Sequence, residues 1–293
     1  MDRLDAMRLF VRVAELGSFS GVAKQMDVAR SAVTRQIAAL EQHLGTRLMA
    51  RSTRRLTLTS AGIAYLEKCR AILNLVEAAE SDVSENRQIP RGVIRISVPL
   101  SYGLRRLAPL LLEFAQQNPE VDLEMDFSDR RINLIEEGVD LTIRITSRPE
   151  RRDVNRRIAT ERMVVVAAPG YLARHGMPRH PGELIHHACL GYIGSNSRMW
   201  QFRVGERYEG FPIRSHVSAN NGDILVEAAA RSLGIACQPE FITAAYVADG
   251  RLREILDDFQ VPQLGVFGVL PSNRQVPHRV RVLMDWLAKK IAL

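Results

Sequence analysis

Around the segment RQIPRG, residues 87–92, the sequence changes its period. Before it, apolar residues recur three and four positions apart, the repeat of a helix with one buried face. After it come the short runs VIRISVPL, VDLEMDF and VDLTIRI, separated by helical patterns at 103–117 and 130–137. One element cannot satisfy both periods, so the segment divides a helical N-terminal part from a C-terminal part in which strands alternate with helices. Pro90 and Gly92 mark the linker itself. With 293 residues the chain is too long for one core, and two or three modules are expected. The C-terminal pattern predicts a mainly parallel α/β sheet.

Three helices are expected in the first 45 residues. One runs from Leu4 to Leu16 with Leu4, Met7, Val11 and Ala14 on one side. Ser18 or Ser20 caps a short second helix after the break at Gly17. The third is ARSAVTRQIAALEQHLG (29–45), stopped by Gly45. Its Val33, Ile37, Leu40 and Leu44 stack into an apolar stripe, while Ser31, Thr34, Arg35, Ala38 and Gln42 form a small, polar and basic face. The following TRLMARSTRRLTLTSAG alternates β-branched residues around arginines and predicts a two-stranded hairpin, or wing.

Charge gives that second face a partner. Residues 1–60 carry ten Lys/Arg against five acids, a local +5 within a total of +7, and residues 46–60 hold four arginines and no acid. Such a footprint fits a polyanion, and helix–turn–helix geometry sets the second helix of the pair in the major groove of DNA. Arg35 suits a two-pronged contact to guanine, and Ser31 and Thr34 can reach bases or phosphates. Ala38 permits close approach, and Arg30 stands at the helix start. Ser18 opens the preceding helix. Arg51, Ser52, Thr53, Arg54 and Arg55 on the hairpin suit phosphates or the minor groove.

From Ala61 to about Asn86 a long helix is expected. Tyr65, Cys69, Ile72, Val76, Ala79 and Val83 recur at four and three, a heptad seam that predicts pairing with a second helix in a dimer, with a surface helix packed on its own domain as the alternative source of so short a stripe. Other classes of protein find little support. The longest purely apolar run, MVVVAA (163–168), is far short of a membrane span, and the charged N-terminus is no signal peptide. Cys69, Cys189 and Cys237 are odd in number and widely spaced, which suits a reducing cytoplasm and neither a disulfide framework nor zinc. His175, His180, His186 and His187 match no common metal spacing, so no metal or cofactor is expected. The sequence has no GxxxxGK[ST], GxGxxG or GxSxG, so neither a phosphate cradle nor an activated serine is expected, and the chain does not read as an enzyme.

SFSGVAKQMDVARSAVTRQIAALEQHLGTRLMARSTRRLTLTSAG strongly resembles the winged helix–turn–helix signature of LysR-type transcriptional regulators. The resemblance continues through the long helix, and VDLTIRI and LGVFGVLPSNRQVPHRVRVLMDWL are similar to that family's effector domain. Two positions depart from its pattern. Arg30 stands where an uncharged polar residue is usual, and Ala29 where a capping serine is common. The resemblance implies a multidomain fold: an all-α winged helix–turn–helix domain (1–60), a linker and dimerisation helix with hinge (61–91), and an α/β effector domain (92–293) like type II periplasmic binding proteins. That domain would comprise two subdomains, 92–161 with 267–293 and 162–266, with a small-molecule cleft between them.

Candidate ligand contacts lie where open α/β sheets bind, at strand C-termini. Ser101 and Tyr102 follow the first strand, and Ser128 follows the second at a position that often carries a hydroxyl in the family. Arg144 ends DLTIR and could grip a carboxylate in two-pronged fashion. Gly194 and Ser195 follow CLGYI, and Asn220 and Asn221 open a helix whose free N–H groups suit an anion.

The expectation is a cytoplasmic, effector-controlled regulator that binds double-stranded DNA as a homodimer or homotetramer, with RNA polymerase as a candidate partner and no membrane. The competing readings are a ligand-independent architectural DNA-binding protein and an α/β small-molecule-binding protein with secondary DNA binding.

Overall fold

The computed structural model describes residues 2–51, 56–83, 89–130, 134, 137–147, 154–194, 198–271 and 276–291. The N-terminal module opens with helix α1 (Arg3–Leu16), capped by the Asp2 carboxylate, which accepts from Leu4 N at 2.9 Å. Its buried residues are Ala6, Leu9, Phe10, Val11 and Val13. That is a wider face than the expected Leu4, Met7, Val11 and Ala14 stripe, because three other helices close around α1. Helix α2 (Phe19–Gln25) is capped by Ser18, which accepts from Gly21 N at 3.1 Å. Helix α3 (Arg30–Leu44) buries Val33, Ile37 and Leu40, whereas Leu44 stays 37% exposed beyond the edge of the core. The chain leaves α3 through Gly45 at φ 64°, a left-handed cap that favours glycine. The hairpin is present as antiparallel β1 (Met49–Arg51) and β2 (Leu56–Leu58), with Met49 opposite Leu58.

Helix α4 (Ser60–Val83) returns across α1. Cys69 is fully buried, and Tyr65 packs on the same core with its ring 5.6 Å from that of Phe10. These two members of the expected pairing seam therefore belong to the module's own interior, because α1 covers that side of α4. Further along, Ile72 and Ala79 are exposed and Val76 is half-buried, while the side chain of Val83 lies outside the described residues. An exposed stripe runs through Ala61, Ala64, Lys68, Ile72, Leu75 and Ala79, sharing Ile72 and Ala79 with the predicted seam and standing one residue before it at Ala64, Lys68 and Leu75.

Two five-stranded sheets follow. The first contains β3 (Gly92–Val98), β4 (Val121–Phe127), β5 (Leu141–Thr146), β6 (Val154–Glu161) and β14 (Leu264–Leu270), in the order β4-β3-β5-β14-β6. Between β3 and β4 runs one helical stretch: α5 (Leu100–Tyr102), a π-turn over Gly103–Leu107, and α6 (Ala108–Gln117). Its apolar residues Leu107, Leu111 and Phe114 pack with Ile94, Ile96 and Val98 of β3 and with the terminal helix α10 (His278–Ile291).

The second sheet contains β7 (Met163–Ala167), β8 (Ala188–Tyr192), β11 (Arg214–Ala219), β12 (Ile235–Pro239) and β13 (Arg253–Ile255), in the order β11-β8-β12-β7-β13. Helices α7 (Pro169–His175), α8 (Gly222–Ala230) and α9 (Glu240–Ala248) accompany it. Beside it stands a separate hairpin of β9 (Met199–Val204) and β10 (Arg207–Pro212). The two sheets share one plan. Each has two parallel pairings, at β3 or β8, and two antiparallel ones. The mainly parallel sheet expected from the strand–helix alternation is thus a mixed one, because the chain crosses between the sheets twice and the strands beside each crossing run the other way. The crossings lie at 161–163 and 256–263. The expected helix at 130–137 falls largely on positions outside the described residues, and Glu137 and Gly138 form a turn.

Candidate nucleic-acid interface and ligand cleft

The outward face of α3 carries exposed Arg30, Ser31, Arg35, Ala38 and Gln42, with Thr34 half-buried. Val33, Ile37 and Leu40 hold the opposite face, so the polar side chains project from a backbone fixed by the core. No acid lies on the exposed face until the half-buried Glu41, and its carboxylate is turned inward. Glu41 Oε1 accepts from Leu48 N at 2.8 Å and Met49 N at 3.0 Å, which ties the root of the hairpin to the back of α3. Thr59 fastens the other side. Its hydroxyl donates to Arg47 O at 2.7 Å and accepts from Gly62 N at 2.9 Å at the start of α4.

Ser18 is engaged as the cap of α2, and Arg30 opens α3 with no side-chain cap, since Ala29 offers only its carbonyl to Ala32 N at 2.9 Å. Ser52, Thr53, Arg54 and Arg55, and the side chain of Arg51, lie outside the described residues. Among the described residues the basic charge of this face comes from Arg30 and Arg35 of α3, with the hairpin fastened to the same helix through Glu41.

The second site is where the C-terminal ends of β3 and β4 meet the start of α8. Ser101 is buried there, and its hydroxyl donates to the Asp223 carboxylate while accepting from Asn221 Nδ2 at 3.2 Å. The same Asn221 amide donates to Asp129 Oδ2 at 3.0 Å, and Asp129 Oδ1 accepts from Leu100 N at 3.0 Å. Arg105 pairs with Asp223 from the π-turn. Ser101, Arg105 and Asp129 belong to the first sheet's subdomain, and Asn221 and Asp223 to the second. Two of the expected ligand residues, Ser101 and Asn221, are thus brought into direct contact across the cleft.

The expected anion site at the start of α8 needs correction. Asn221 Oδ1 accepts from Asp223 N at 3.0 Å and Ile224 N at 3.4 Å, so first-turn donors are already used. The Asp223 carboxylate itself supplies the negative charge that a helix N-terminus favours. An acid two positions beyond an Asn cap was visible in the sequence and could have signalled this.

Tyr102 is fully buried, its ring edge-on to Phe241 of α9 at 5.2 Å, and its phenol hydrogen-bonds Glu161 at the first crossing. Burial pushes the Tyr102 phenol up, with Glu161 adding to the effect. Burial also raises the Glu161 carboxyl, against the opposing pull of Arg106 and the Tyr102 hydroxyl. Glu161 was not singled out from the sequence, because a lone acid ending a strand carries no local signal. Ser128 is engaged within its own loop, accepting from Arg130 N at 3.3 Å. Arg144 is half-buried on β5 opposite Phe267, on the face away from Ile143 and Val266. Gly194 and Asn220 stand exposed at the strand ends, and Ser195 lies outside the described residues.

Burial raises the thiol of Cys69 to about 11 and those of Cys189 and Cys237 to about 12, which keeps them protonated at neutral pH. Among the described residues no group of metal-capable side chains is assembled, and no helix is long and apolar enough to cross a membrane.

Known proteins carry the same two parts in the same order. The model of the "Bacterial regulatory helix-turn-helix protein, lysR family" matches residues 4–63, and that of the "LysR substrate binding domain" matches 87–292. The chain belongs to the LysR family of transcriptional regulators. An uncharacterized HTH-type transcriptional regulator of Haemophilus influenzae is 35% identical to it, covering 96% of this chain and 98% of that one. The regulator CrgA of Neisseria meningitidis is 34% identical over 98% of this chain and 96% of its own. Its solved structure aligns at a TM-score of 0.61 with 33% identity, covering 99% of both chains. AphB, described as a Vibrio cholerae virulence activator, aligns at 0.59 with 26% identity over 98% of this chain and 99% of that one. This LysR-type regulator thus joins a helix-turn-helix module, which contains α3, to a substrate-binding domain built on the two sheets.

Proposed function

We propose that this regulator works as a cytoplasmic homodimer or homotetramer, reading paired half-sites of an operator with α3 and the hairpin of each copy. Its output is binding rather than catalysis, with RNA polymerase as a partner at the promoter. The observation that carries the reading is the division of α3 into an apolar face held by the core and an exposed face bearing Arg30, Ser31, Arg35 and Ala38. Ser18, Arg51, Ser52, Thr53, Arg54 and Arg55 would add backbone contacts around it. Working units are 1–60 for DNA reading, 61–91 for pairing and hinge, and the remainder for the effector. Pairing would use the exposed stripe through Ile72, Leu75 and Ala79.

Footprinting on the region upstream of the gene tests the reading, with sequence-specific protection expected at low and moderate salt alike. Arg35→Ala separates base from phosphate contact. If Arg35 reads a base, specific binding weakens by about 1–3 kcal/mol and discrimination relaxes at one position. An equal loss on specific and random DNA would make it a phosphate contact.

A small molecule in the cleft would act by competing for Ser101 and Asn221, which now hold the two subdomains together. It shifts the balance only insofar as it binds one arrangement better than the other. Thermal shift against small carboxylates, amines and aromatics tests this, and a chain that no compound stabilises would fit an architectural DNA-binding protein instead.

A further inference from the structure

The reading module does not merely hang from α4; it is docked on the effector domain by an ionic cluster of low exposure. Glu15, in the last turn of α1, has a side chain only 15% exposed. Its Oε1 accepts from Arg95 NH2 at 2.5 Å and Arg70 NH2 at 3.4 Å, and its Oε2 lies 3.5 Å from Arg12 NH1. Arg95 belongs to β3 of the first sheet, and its Nε pairs with Glu124 of β4 at 2.8 Å. Arg70, on α4, also pairs with Glu67 at 2.9 Å. One carboxylate thus gathers three guanidinium groups, from α1, α4 and the effector domain.

The surrounding packing is close. At Gly138 an added Cβ would stand 2.7 Å from Arg70 NH1 and 3.1 Å from Glu67 Oε1, so the β4–β5 loop rests directly on α4. A second contact ties the same surfaces, since Arg279 of α10 donates to Val93 O at 2.8 Å and to Asn74 Oδ1 of α4 at 3.2 Å.

The position of Arg95 on β3 gives the cluster its meaning. Six residues further on is Ser101, bonded across the cleft to Asp223 and Asn221. β3 runs for three of those residues, to Val98, about 10 Å of stiff strand, and Pro99 then leads directly into α5, which carries Ser101. We propose that Glu15 is a positioning residue that locks the DNA-reading module to β3, so that the strand carries the state of the cleft to α1 and thence to α3. Removing either partner leaves a poorly solvated charge behind, so the lock has two discrete conditions, made and broken.

This rests on the DNA-reading function proposed above, and the test has an arm without DNA. Labels at the exposed positions Lys24 and Lys289 report the distance between module and effector domain, with labelled chains diluted in excess unlabelled protein. The variants are Glu15→Gln, Arg95→Gln, both together, and Glu124→Gln as a control at the outer, 56% exposed end of the cluster. Glu15→Asp, which keeps the charge and shortens the reach, serves if Glu15→Gln folds poorly.

The expected result is a broadened distance distribution in both single variants, no further broadening in the double, and little change in the control. Operator affinity then changes by about 2- to 30-fold in the singles and non-additively in the double. Unchanged distances in Glu15→Gln and Glu15→Asp, or strictly additive effects, would overturn the proposal. Broadened distances in a protein whose wild type gives no footprint would keep the lock and refute the DNA reading.

Discussion

Alanine at Gly62 would separate the hairpin from the helix that supports it. An added Cβ there stands 2.0 Å from the Leu48 carbonyl oxygen and 2.9 Å from its carbon. An unstrained carbon–oxygen contact is about 3.3 Å, so the carbonyl must retreat by roughly 1.3 Å. It is held where it is by Thr59 N at 3.0 Å and Thr59 Oγ1 at 3.2 Å, and a retreat of that size breaks both hydrogen bonds. Two such bonds contribute about 0.5–1.5 kcal/mol each, and overpacking adds about 1–3 kcal/mol.

The total is therefore about 2–6 kcal/mol, against the roughly 5–15 kcal/mol that stabilises a whole domain. Alanine is the better helix former by about 1 kcal/mol, so any loss cannot be assigned to helix propensity. In a module of this size each kcal/mol moves the midpoint by about 4–8 °C, so the first melting transition should fall by at least about 4 °C. Operator affinity should fall with it, because Leu48 leads into the strand that carries Arg51. A Gly62→Ala protein with both the melting curve and operator affinity of the wild type would refute the argument.

Ala29→Ser should supply the missing cap of α3 and raise the module's stability by about 1 kcal/mol, read by thermal melting, with operator preference unchanged. Glu161→Gln should act through pH. Burial raises the Glu161 carboxyl in the fold, so the stability it lends in acid is lost as pH rises above about 4.5 through the raised value. The variant should melt like the wild type in acid and progressively above it towards neutral pH, and an offset independent of pH would sink the explanation. Ile72→Asp with Leu75→Asp should shift sedimentation towards the monomer while leaving the melting of the effector domain in place.

The helices, the hairpin and most buried strands were legible in the sequence because their signals are local. Val33, Ile37 and Leu40 mark a face by spacing alone, and the β-branched run in MVVVA (163–167) reads as a buried strand. The hairpin β9–β10 escaped notice because β10 is exposed at almost every position, and RSHVSA of β11 alternates without strongly apolar residues. The seam on α4 was misplaced at two positions, for a different reason. Tyr65 and Cys69 have the right spacing for a partner, but α1 reaches them first, and no local pattern records which neighbour arrives. Likewise Ser101 and Asn221 were legible as strand-end and helix-cap residues, whereas their bond to each other, and the roles of Asp223, Arg105 and Glu161, depend on contacts between segments about 120 residues apart or at a crossing.

The two crossings at 161–163 and 256–263 also limit how the effector domain can move. A body joined to another through one strand can swing about any axis through that point. Joined through two, like a door on a pair of pins, it keeps one free rotation, about the line between them. Opening of the cleft is then a single coordinate, with Tyr102 hydrogen-bonded to Glu161 at one pin and the Ser101–Asn221 contact beginning one residue along the chain from it. Whatever binds between the two subdomains can therefore alter only how far that one rotation has gone.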